Sequence, residues 1–348
     1  MKILFIYPNI ARARSPQVGL SSLAGTLERE GHSCRLLDIT FLEDYEVAGV
    51  YQRLLEEYRP DMIGVSCRST EWETAQAILR MADPGVPVVA GGPHPTIAPE
   101  EGLADERVDM LVRGEGEESI IDLINRMESG VNLTDMPNLW VKQDGKIYRN
   151  DVRDLVQDMD VLAMPKWDIW DDRHFLNHYQ KVFNPEAEIF GDLETSRGCP
   201  YCCPYCLTPV MQKLYKGKGK YHREKSAKRI IAEVEKFRRD KNIDYVRFVD
   251  ETFILNKSRL REFCELYKDI RLPFSFSTRP ETASDEMMKI LSEAGARPVA
   301  CGLEPGHEQA RPGAAARPGP GWGARRAAPN RPGRPSRRPL RGPRRPGS

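Results

Sequence analysis

The chain has 348 residues, a formal net charge of +1 and eight cysteines, and this length is enough for two domains. No stretch approaches the ~20 consecutive apolar residues that a membrane-spanning helix needs, and no secretory signal opens the chain. These features argue against a membrane protein and a disulfide scaffold, and they predict a reducing, cytoplasmic location.

The charges are spread unevenly along the chain. From Glu308 onward, eleven arginines stand against a single acidic residue, whereas the preceding part is mildly acidic. The acidic body argues against nucleic-acid binding by the folded part, although the basic tail leaves RNA as an alternative partner. Residues 308–348 are almost wholly Arg, Pro, Gly and Ala, a composition that predicts disorder and also fits a shifted reading frame.

Short apolar runs alternate with amphipathic segments over residues 1–130. The predicted strands are residues 3–7, 62–65, 86–90 and 110–112. This alternation is typical of an α/β domain with a Rossmann-like, doubly wound parallel sheet, in which ligands bind at the carboxyl ends of the strands. The residues alone leave a nucleotide-like pocket and plain turn chemistry open there. The candidate binding residues are Asn9, Ser66, Arg68, Ser69, Thr70, Gly91, Gly92, Pro93, His94, Gly114 and Glu115.

Residues 131–187 lack this regularity and are predicted to be a linker between two domains. Asp144-Gly145 predicts a hairpin turn within it. His174 and His178 stand at helical spacing, which is a weak indication of a metal pair because no third ligand is evident.

Strand–helix alternation returns over residues 188–307. The predicted strands are residues 189–194, 245–249, 274–277 and 298–303. Polar residues stand at the ends of these strands, as in a β/α barrel whose chemistry gathers at one rim. The pattern predicts four strands of such a barrel before the basic tail begins.

The most specific pattern lies in the loop after the first of these strands. Cys199, Cys203 and Cys206 form a C-x3-C-x2-C run. Three thiolates on a cubic 4Fe–4S cluster, which is normally held by four, leave one iron open to a small molecule. A zinc site or a structural role is the alternative, but zinc sites usually have two separate C-x2-C pairs or two histidines, and only His222 stands nearby. Cys202 adjoins Cys203 and is disfavoured as a further ligand of one small ion.

This cysteine spacing, with Tyr205 before the last cysteine, is that of the radical S-adenosylmethionine (radical SAM) superfamily. Taken with the loop motifs, the chain resembles the cobalamin-dependent radical SAM proteins, the group related to the anaerobic magnesium-protoporphyrin ester cyclase and to several methyltransferases. The resemblance covers about the first 306 residues. The motifs that carry it are Gly91-Gly92-Pro93-His94-Pro95-Thr96, Arg113-Gly114-Glu115-Gly116-Glu117, Thr195-Ser196-Arg197-Gly198-Cys199, Phe248-Val249-Asp250-Glu251, Ser277-Thr278-Arg279 and Gly302-Leu303-Glu304.

The resemblance implies a cobalamin-binding domain over residues 1–130 and an incomplete radical SAM barrel over residues 188–307. S-adenosylmethionine would chelate the open iron, and its reductive cleavage would give a radical that abstracts hydrogen from the substrate. No Asp-x-His-x-x-Gly motif follows the first strand, so cobalamin is expected without a histidine ligand. The residues that the resemblance assigns to S-adenosylmethionine are Tyr205, Asp250, Glu251, Arg279 and Glu304.

The reaction that the resemblance favours is methyl transfer to an unactivated carbon or phosphorus of a small molecule, with cobalamin as the methyl carrier. An oxidative cyclisation or rearrangement is the alternative reaction. A non-catalytic cofactor-binding remnant, or an RNA-associated protein acting through the tail, is the alternative from a different class. An electron donor such as a flavodoxin or a ferredoxin is the implied partner. Because the barrel is incomplete, weak or absent turnover is expected, and no residue is assigned as catalytic.

Overall fold

The first sheet occupies the N-terminal half of the molecule. The structure is a computed structural model that describes residues 1–83, 85–176 and 186–302. In spatial order the strands of this sheet are β2-β1-β3-β4-β5-β6-β7, of which the first five are parallel and the last two antiparallel. The bounds are β1 (Lys2–Tyr7), β2 (Ser33–Asp38), β3 (Met62–Ser66), β4 (Val88–Gly91), β5 (Met110–Val112), β6 (Leu139–Gln143) and β7 (Lys146–Arg149).

Helices cover both faces of this sheet, as the prediction of a doubly wound fold requires. Successive side chains of β1 point to opposite faces, so that Ile3 and Phe5 join one apolar cluster while Leu4 and Ile6 join another. The predicted fold class is therefore confirmed for the first sheet. The helices are α1 (Val18–Arg29), α2 (Asp44–Tyr58), α3 (Trp72–Met81), α4 (Pro93–Ile97), α5 (Pro99–Ala104) and α6 (Glu117–Ser129).

The hairpin predicted at Asp144-Gly145 exists, but it is part of the first sheet. Strand β6 pairs with β5, and β7 pairs with β6. Leu139 and Val141 are buried in the same apolar cluster as Met110, which is why this segment adds to the sheet. The structure thus corrects the prediction that the linker begins at residue 131, since the sheet runs through β7.

The second sheet is parallel, with the spatial order β13-β12-β11-β8, and a two-stranded antiparallel ribbon lies beside it. The strands of the sheet are β8 (Phe190–Leu193), β11 (Tyr245–Phe248), β12 (Phe274–Thr278) and β13 (Ala296–Cys301). The strands of the ribbon are β9 (Ser196–Arg197) and β10 (Arg223–Glu224). The helices of this part are α7 (Thr208–Leu214), α8 (Ala227–Lys241), α9 (Lys257–Tyr267) and α10 (Asp285–Ala294). This arrangement confirms the predicted partial barrel.

Close packing holds α8 against β8. A Cβ added at Gly191 would lie 2.8 Å from side-chain atoms of both Phe237 and Ile243, so only glycine lets the helix approach the strand. Further along the sheet, Phe248 and Phe274 belong to a packed group of aromatic rings between the strands and α9. The core of the second sheet is therefore largely aromatic.

Two tryptophans of the connecting segment join the cores of the two sheets. The ring of Trp167 stacks on Phe237 with centroids 4.2 Å apart. Trp170 meets Tyr7 edge-on at 5.5 Å, and its Nε1 donates a hydrogen bond to Ser21 Oγ at 2.8 Å. As a result, one apolar cluster runs from β1 to α8, and the described residues form a single compact unit.

Three predicted features lie wholly outside the described residues. The basic tail over residues 308–348 is one, and Glu304, at the end of the last predicted strand, is another. His178 is the third. Its predicted partner His174 is buried, and its Nε2 is hydrogen-bonded to Asp38. The described part of the chain thus gives His174 a structural partner and no metal site.

Candidate active site

The loops after β3 and β4 meet at the carboxyl edge of the first sheet, as predicted. The Cys67 N–H donates to the Gly91 carbonyl at 3.3 Å, and the His94 N–H donates to the Cys67 carbonyl at 3.2 Å. Gly92 has φ +90°, and a Cβ there would lie 3.1 Å from the backbone of Cys67. Glycine is therefore needed where the two loops touch.

His94 is buried at this edge beside Trp72. The two rings stack with centroids 4.9 Å apart, and the His94 Nδ1 lies 3.2 Å from Ser69 Oγ. Desolvation by burial lowers the pKa of His94, which favours the neutral imidazole. Its Nε2 is buried and has no hydrogen-bond partner within residues 1–83, 85–176 and 186–302.

Asn9 is fully buried in the loop after β1. Its Nδ2 donates to the Ala13 carbonyl at 2.9 Å and to Thr40 Oγ1 at 2.8 Å, so the amide orders its own loop. Its Oδ1 is buried and lacks a partner in the described part of the chain. One atom of Asn9 and one of His94 are thus left for a bound group at this edge.

The other predicted residues of this edge lie in the turns after β3 and β4. The Arg68 guanidinium is half exposed and binds the buried Glu71 carboxylate at 2.5 Å. Ser66 Oγ donates to Gln17 Oε1 at 3.2 Å. Ser69, Thr70 and Pro93 are exposed.

Gly114 and Glu115, the other two predicted residues of this edge, are half-buried and contact the second domain. Gly114 has φ +85°, and a Cβ there would lie 1.8 Å from Tyr215 Oη. The Glu115 N–H donates to the same Tyr215 Oη at 3.0 Å, and its carboxylate accepts from Arg223 at 2.9 Å. This loop therefore docks the second domain, and its predicted contact with cobalamin stays a prediction.

The cysteine loop begins where β9 ends and is held in shape by polar contacts. Gly198 has φ +78°, and a Cβ there would lie 2.4 Å from the Tyr221 carbonyl oxygen, which requires glycine before Cys199. Gln212 Nε2, on α7, donates to the Cys199 carbonyl at 2.9 Å. His222 Nδ1 donates to the Gly198 carbonyl at 2.7 Å. The loop is thus held from two sides.

The three cysteines of the motif differ in environment. Cys199 is buried with its Sγ 3.7 Å from Thr252 Oγ1, Cys203 is partly exposed, and Cys206 is exposed. Cys202 points to another partner, since its Sγ donates to Gln212 Oε1 at 3.0 Å. Within the described residues, no three His, Cys, Asp or Glu side chains are already gathered as metal ligands. The trio therefore shares one short loop without forming a preformed metal cage.

Asp250 anchors the start of this loop. Its carboxylate, 3% exposed, accepts hydrogen bonds from the Thr195 N–H at 3.1 Å, the Thr195 hydroxyl at 2.8 Å and the Ser196 hydroxyl. Burial raises the pKa of the carboxyl, although these hydrogen bonds oppose the shift. The structure gives Asp250 an internal role, and its predicted contact with S-adenosylmethionine stays a prediction.

Arg279 reaches from the end of β12 to the cysteine loop. Its Nη1 donates to Cys203 Sγ at 3.2 Å, and its guanidinium lies 4.2 Å from the ring centroid of Tyr201. Its Nε is buried and unpartnered among the described residues. Glu251 and Tyr205 are exposed near this loop, and desolvation with the nearby Asp250 raises the pKa of Glu251.

Sequence reasoning missed the residues that hold the loop. Gln212, His222 and Arg259 were not assigned a role, yet the Arg259 Nη1 donates to the Thr195 carbonyl at 3.1 Å. Of these three residues, only His222 could have been suspected from the sequence, because it stands near the cysteine run. Glutamine and arginine on amphipathic helices look like surface residues in a sequence, which is why the other two were not found.

The second domain contacts the first through buried charge. Arg197 donates to Glu117 at 2.6 Å and to Glu194 at 2.9 Å. Burial by itself raises the pKa of Glu117, but the Arg197 charge and hydrogen bonds from Arg197 and Ser22 outweigh it, so that the pKa falls to about 2. The Arg197 pKa is in turn raised well above its usual range, because the attraction of these carboxylates outweighs the effect of its burial.

Two family matches cover most of the described chain. Residues 11–124 match the B12 binding domain, and residues 193–324 match the Radical SAM superfamily. These domains bring cobalamin, S-adenosylmethionine and a 4Fe–4S cluster as cofactors, which confirms the cofactors predicted from the sequence. No helix of the described residues is long and apolar enough to cross a bilayer.

The curated relatives include a methyltransferase and a cyclase, and these are the two kinds of reaction that the sequence analysis considered. An uncharacterized methyltransferase of Pyrococcus horikoshii is 29% identical over 317 residues, which cover 87% of this chain and 65% of the relative. The anaerobic magnesium-protoporphyrin IX monomethyl ester cyclase of Synechocystis is 27% identical over 325 residues, covering 87% of this chain and 61% of the relative. The chain thus spans less than two thirds of the length of these relatives.

A solved structure shares the fold. OxsB, a cobalamin-dependent S-adenosylmethionine radical enzyme with aqua-cobalamin and S-adenosylmethionine bound, matches with a TM-score of 0.71 at 20% identity. The match covers 88% of this chain and 44% of that chain. It supports the order of the two sheets described above.

The residues at both edges fit the implied cofactors. Three thiols on one loop are the donor set that a 4Fe–4S cluster requires. The buried and unpartnered Asn9 Oδ1, His94 Nε2 and Arg279 Nε are polar atoms that a bound group can satisfy. With these features and both domain matches, the chain belongs to the proteins that join a B12-binding domain to a radical SAM domain.

Proposed function

We propose that this chain is the cofactor-binding part of an enzyme that methylates an unactivated carbon or phosphorus of a small molecule. The observation that carries the proposal is that the cysteine loop, at the carboxyl edge of the second sheet, is tied directly to the B12-binding domain through Arg197 and Glu117. If cobalamin carried the methyl group to a substrate made reactive beside the cluster, the two domains would have to be held together.

Each group of residues has a distinct part in this proposal. Cys199, Cys203 and Cys206 would hold the cluster, and Arg279, which donates to Cys203 Sγ, is the proposed partner of the carboxylate of S-adenosylmethionine. When bound, the cofactors supply a radical that removes hydrogen from the substrate and a methyl group to replace it. Glu251 is exposed near this loop and is the proposed partner of the amino group or ribose.

The B12-binding domain would hold cobalamin at the edge formed by the loops after β1, β3 and β4. Asn9 and His94 offer it one unpartnered polar atom each, and Gly92 permits close approach of the backbone. Because desolvation lowers its pKa, His94 is neutral and offers a hydrogen bond without adding a charge to the site. The binding edge is therefore polar and compact.

An oxidative cyclisation or rearrangement is the second candidate reaction. The likeness to the magnesium-protoporphyrin cyclase of Synechocystis, at 27% identity, favours it. In both reactions we propose a small-molecule substrate and an electron donor such as a flavodoxin or a ferredoxin. The two reactions differ in the fate of the methyl group of S-adenosylmethionine.

The cluster is tested by metal analysis of anaerobically reconstituted protein. The wild-type chain should bind iron and sulfide, and the triple variant Cys199→Ser/Cys203→Ser/Cys206→Ser should lose nearly all of both. The matched control is Cys202→Ser, which changes a neighbouring thiol and should keep the iron. Zinc in the wild-type protein, or iron retained by the triple variant, contradicts the proposal.

The reaction class is tested with S-adenosylmethionine labelled at its methyl group. Methyl transfer predicts that S-adenosylhomocysteine forms together with 5′-deoxyadenosine. A cyclase predicts 5′-deoxyadenosine without S-adenosylhomocysteine, and that result would replace the first candidate by the second.

A further inference from the structure

Two arginines face each other immediately before the cysteine loop. In the ribbon of β9 and β10, Arg197 pairs directly with Arg223. Like charges opposite each other on antiparallel strands repel, and both residues are largely buried, with Arg223 only 5% exposed. The ribbon therefore cannot hold this register without carboxylates placed between and beside the two guanidinium groups.

The first domain supplies those carboxylates. The Glu115 Oε2 accepts a hydrogen bond from Arg223 Nη1 at 2.9 Å and lies 3.8 Å from Arg197 Nη1. This carboxylate therefore bridges the two arginines. Glu117 binds Arg197 at 2.6 Å and is itself only 7% exposed. Glu115 lies in the loop between β5 and α6 and Glu117 is the first residue of α6, so both lie across the domain boundary from the ribbon.

The charges balance only when both domains are counted. Glu115, Glu117, Glu194 and Glu233 face Arg197, Arg223, Lys225 and Arg229 in one set of linked ion pairs. Without the first domain, the two remaining carboxylates would face four cations. Buried charge without a partner is strongly unfavourable, so the ribbon would have to open.

The opening would act on the loop that carries the thiols. Arg197 is followed by Gly198, whose left-handed backbone fits against the Tyr221 carbonyl, and then by Cys199. The position of the buried Cys199 therefore depends on the register of the ribbon. We propose that Arg197 is a positioning residue, and that its ion pairs with Glu115 and Glu117 hold Cys199 in place only while the two domains are docked.

This inference goes beyond the proposed function, although its consequence for the cluster rests on that function. The test uses the metal-free, full-length chain and measures the rate of iodoacetamide alkylation at each cysteine by mass spectrometry. Cys264 is fully buried in α9 of the same domain and serves as an internal reference for global unfolding. The ratio of Cys199 to Cys264 alkylation therefore reports release of the loop alone.

In the variant Glu115→Gln/Glu117→Gln, the ratio should rise about tenfold, because the two arginines repel each other without their counter-charges. The matched control is Glu118→Gln, which neutralises an exposed carboxylate of the same helix and should leave the ratio unchanged. An unchanged ratio in the double variant overturns the proposal.

A second variant separates positioning from stability. Arg197→Met/Glu117→Leu removes a cation and a carboxylate together, so the network stays balanced and the melting temperature should return close to that of the wild type. If the ion pairs of Arg197 hold the loop, the Cys199 ratio should still be raised severalfold in this variant, because the loop has lost this tie to the first domain although no charge is left unpaired. The proposal is overturned if this variant has the melting temperature of the wild type and also the wild-type ratio of Cys199 to Cys264 alkylation. Zinc in place of iron would contradict the proposed function while leaving this comparison intact.

Discussion

The carboxyl edges of the two sheets are completed in different ways. At the first edge, Asn9 binds Thr40 and Arg68 binds Glu71, and these partners lie in the same domain. The loop after β5 is the exception, because it binds the second domain. At the second edge, Arg197 finds a main partner, Glu117, in the other domain. We therefore expect the contacts of Asn9 and Arg68 to form without the second domain, whereas we propose that the cysteine loop depends on docking.

The largest expected effect comes from removing the cation at the centre of the interdomain contact. Arg197→Met leaves Glu117 and Glu194 buried without their main partner, which should lower the free energy of unfolding by about 3–5 kcal/mol. Urea denaturation of the full chain measures this. Arg261→Met, which removes one side of an exposed ion pair, is the control and should unfold like the wild type. Equal stability of both variants would remove the asymmetry between the two edges.

Acidification should weaken the same contact. Because the folded-state pKa of Glu117 is about 2, below the ordinary 4.5, its ionised form stabilises the native state above pH 4.5. That contribution, up to about 3 kcal/mol, is lost as the pH falls from about 4.5 toward 2. The stability difference between wild type and Glu117→Gln should therefore shrink on acidification. A difference that stays constant down to pH 3 would show that Glu117 is not held ionised by its surroundings.

A smaller effect is expected from the glycine that lets Tyr215 approach the docking loop. Gly114→Ala combines left-handed backbone with a contact of 1.8 Å to Tyr215 Oη. Gly31→Ala is the matched control, since Gly31 has φ +79° and open space around it, and should cost about 1 kcal/mol. Gly114→Ala should cost more, by about 1–2 kcal/mol, and Tyr215→Phe should recover part of the excess. Thermal unfolding of the three single variants and of the double variant Gly114→Ala/Tyr215→Phe decides this, and equal costs at both glycines would exclude the close approach.

The sequence predicted β1, β3, β4 and β5 because these strands are buried along almost their whole length and are therefore apolar on both faces. Strand β2 and helix α2 were missed for the opposite reason. β2 is an edge strand whose residues are mostly part-exposed, and α2 buries only Val47, Tyr51 and Tyr58 among many charged residues. Neither has the continuous apolar run that marked the other strands.

A candidate site could be predicted from the sequence where its residues are consecutive. The cysteine run and the loops around Gly92 and Gly114 are short patterns that a sequence displays directly. The partners of Glu115 and Asp250 were not predictable in this way, because they are brought together from strands more than fifty residues apart. Ion pairs of this kind depend on which side chains are buried, and only the fold decides that.

The tryptophans of the connecting segment have a consequence for exchanging parts between relatives. Trp167 and Trp170 each pack against a different sheet, so neither sheet has a complete apolar surface once this segment is removed. A chimera that joins the first sheet of one protein to the second sheet of another must therefore inherit the segment together with both of its contact surfaces. Cut points chosen at the edges of the two family matches would divide these aromatic contacts and give insoluble proteins.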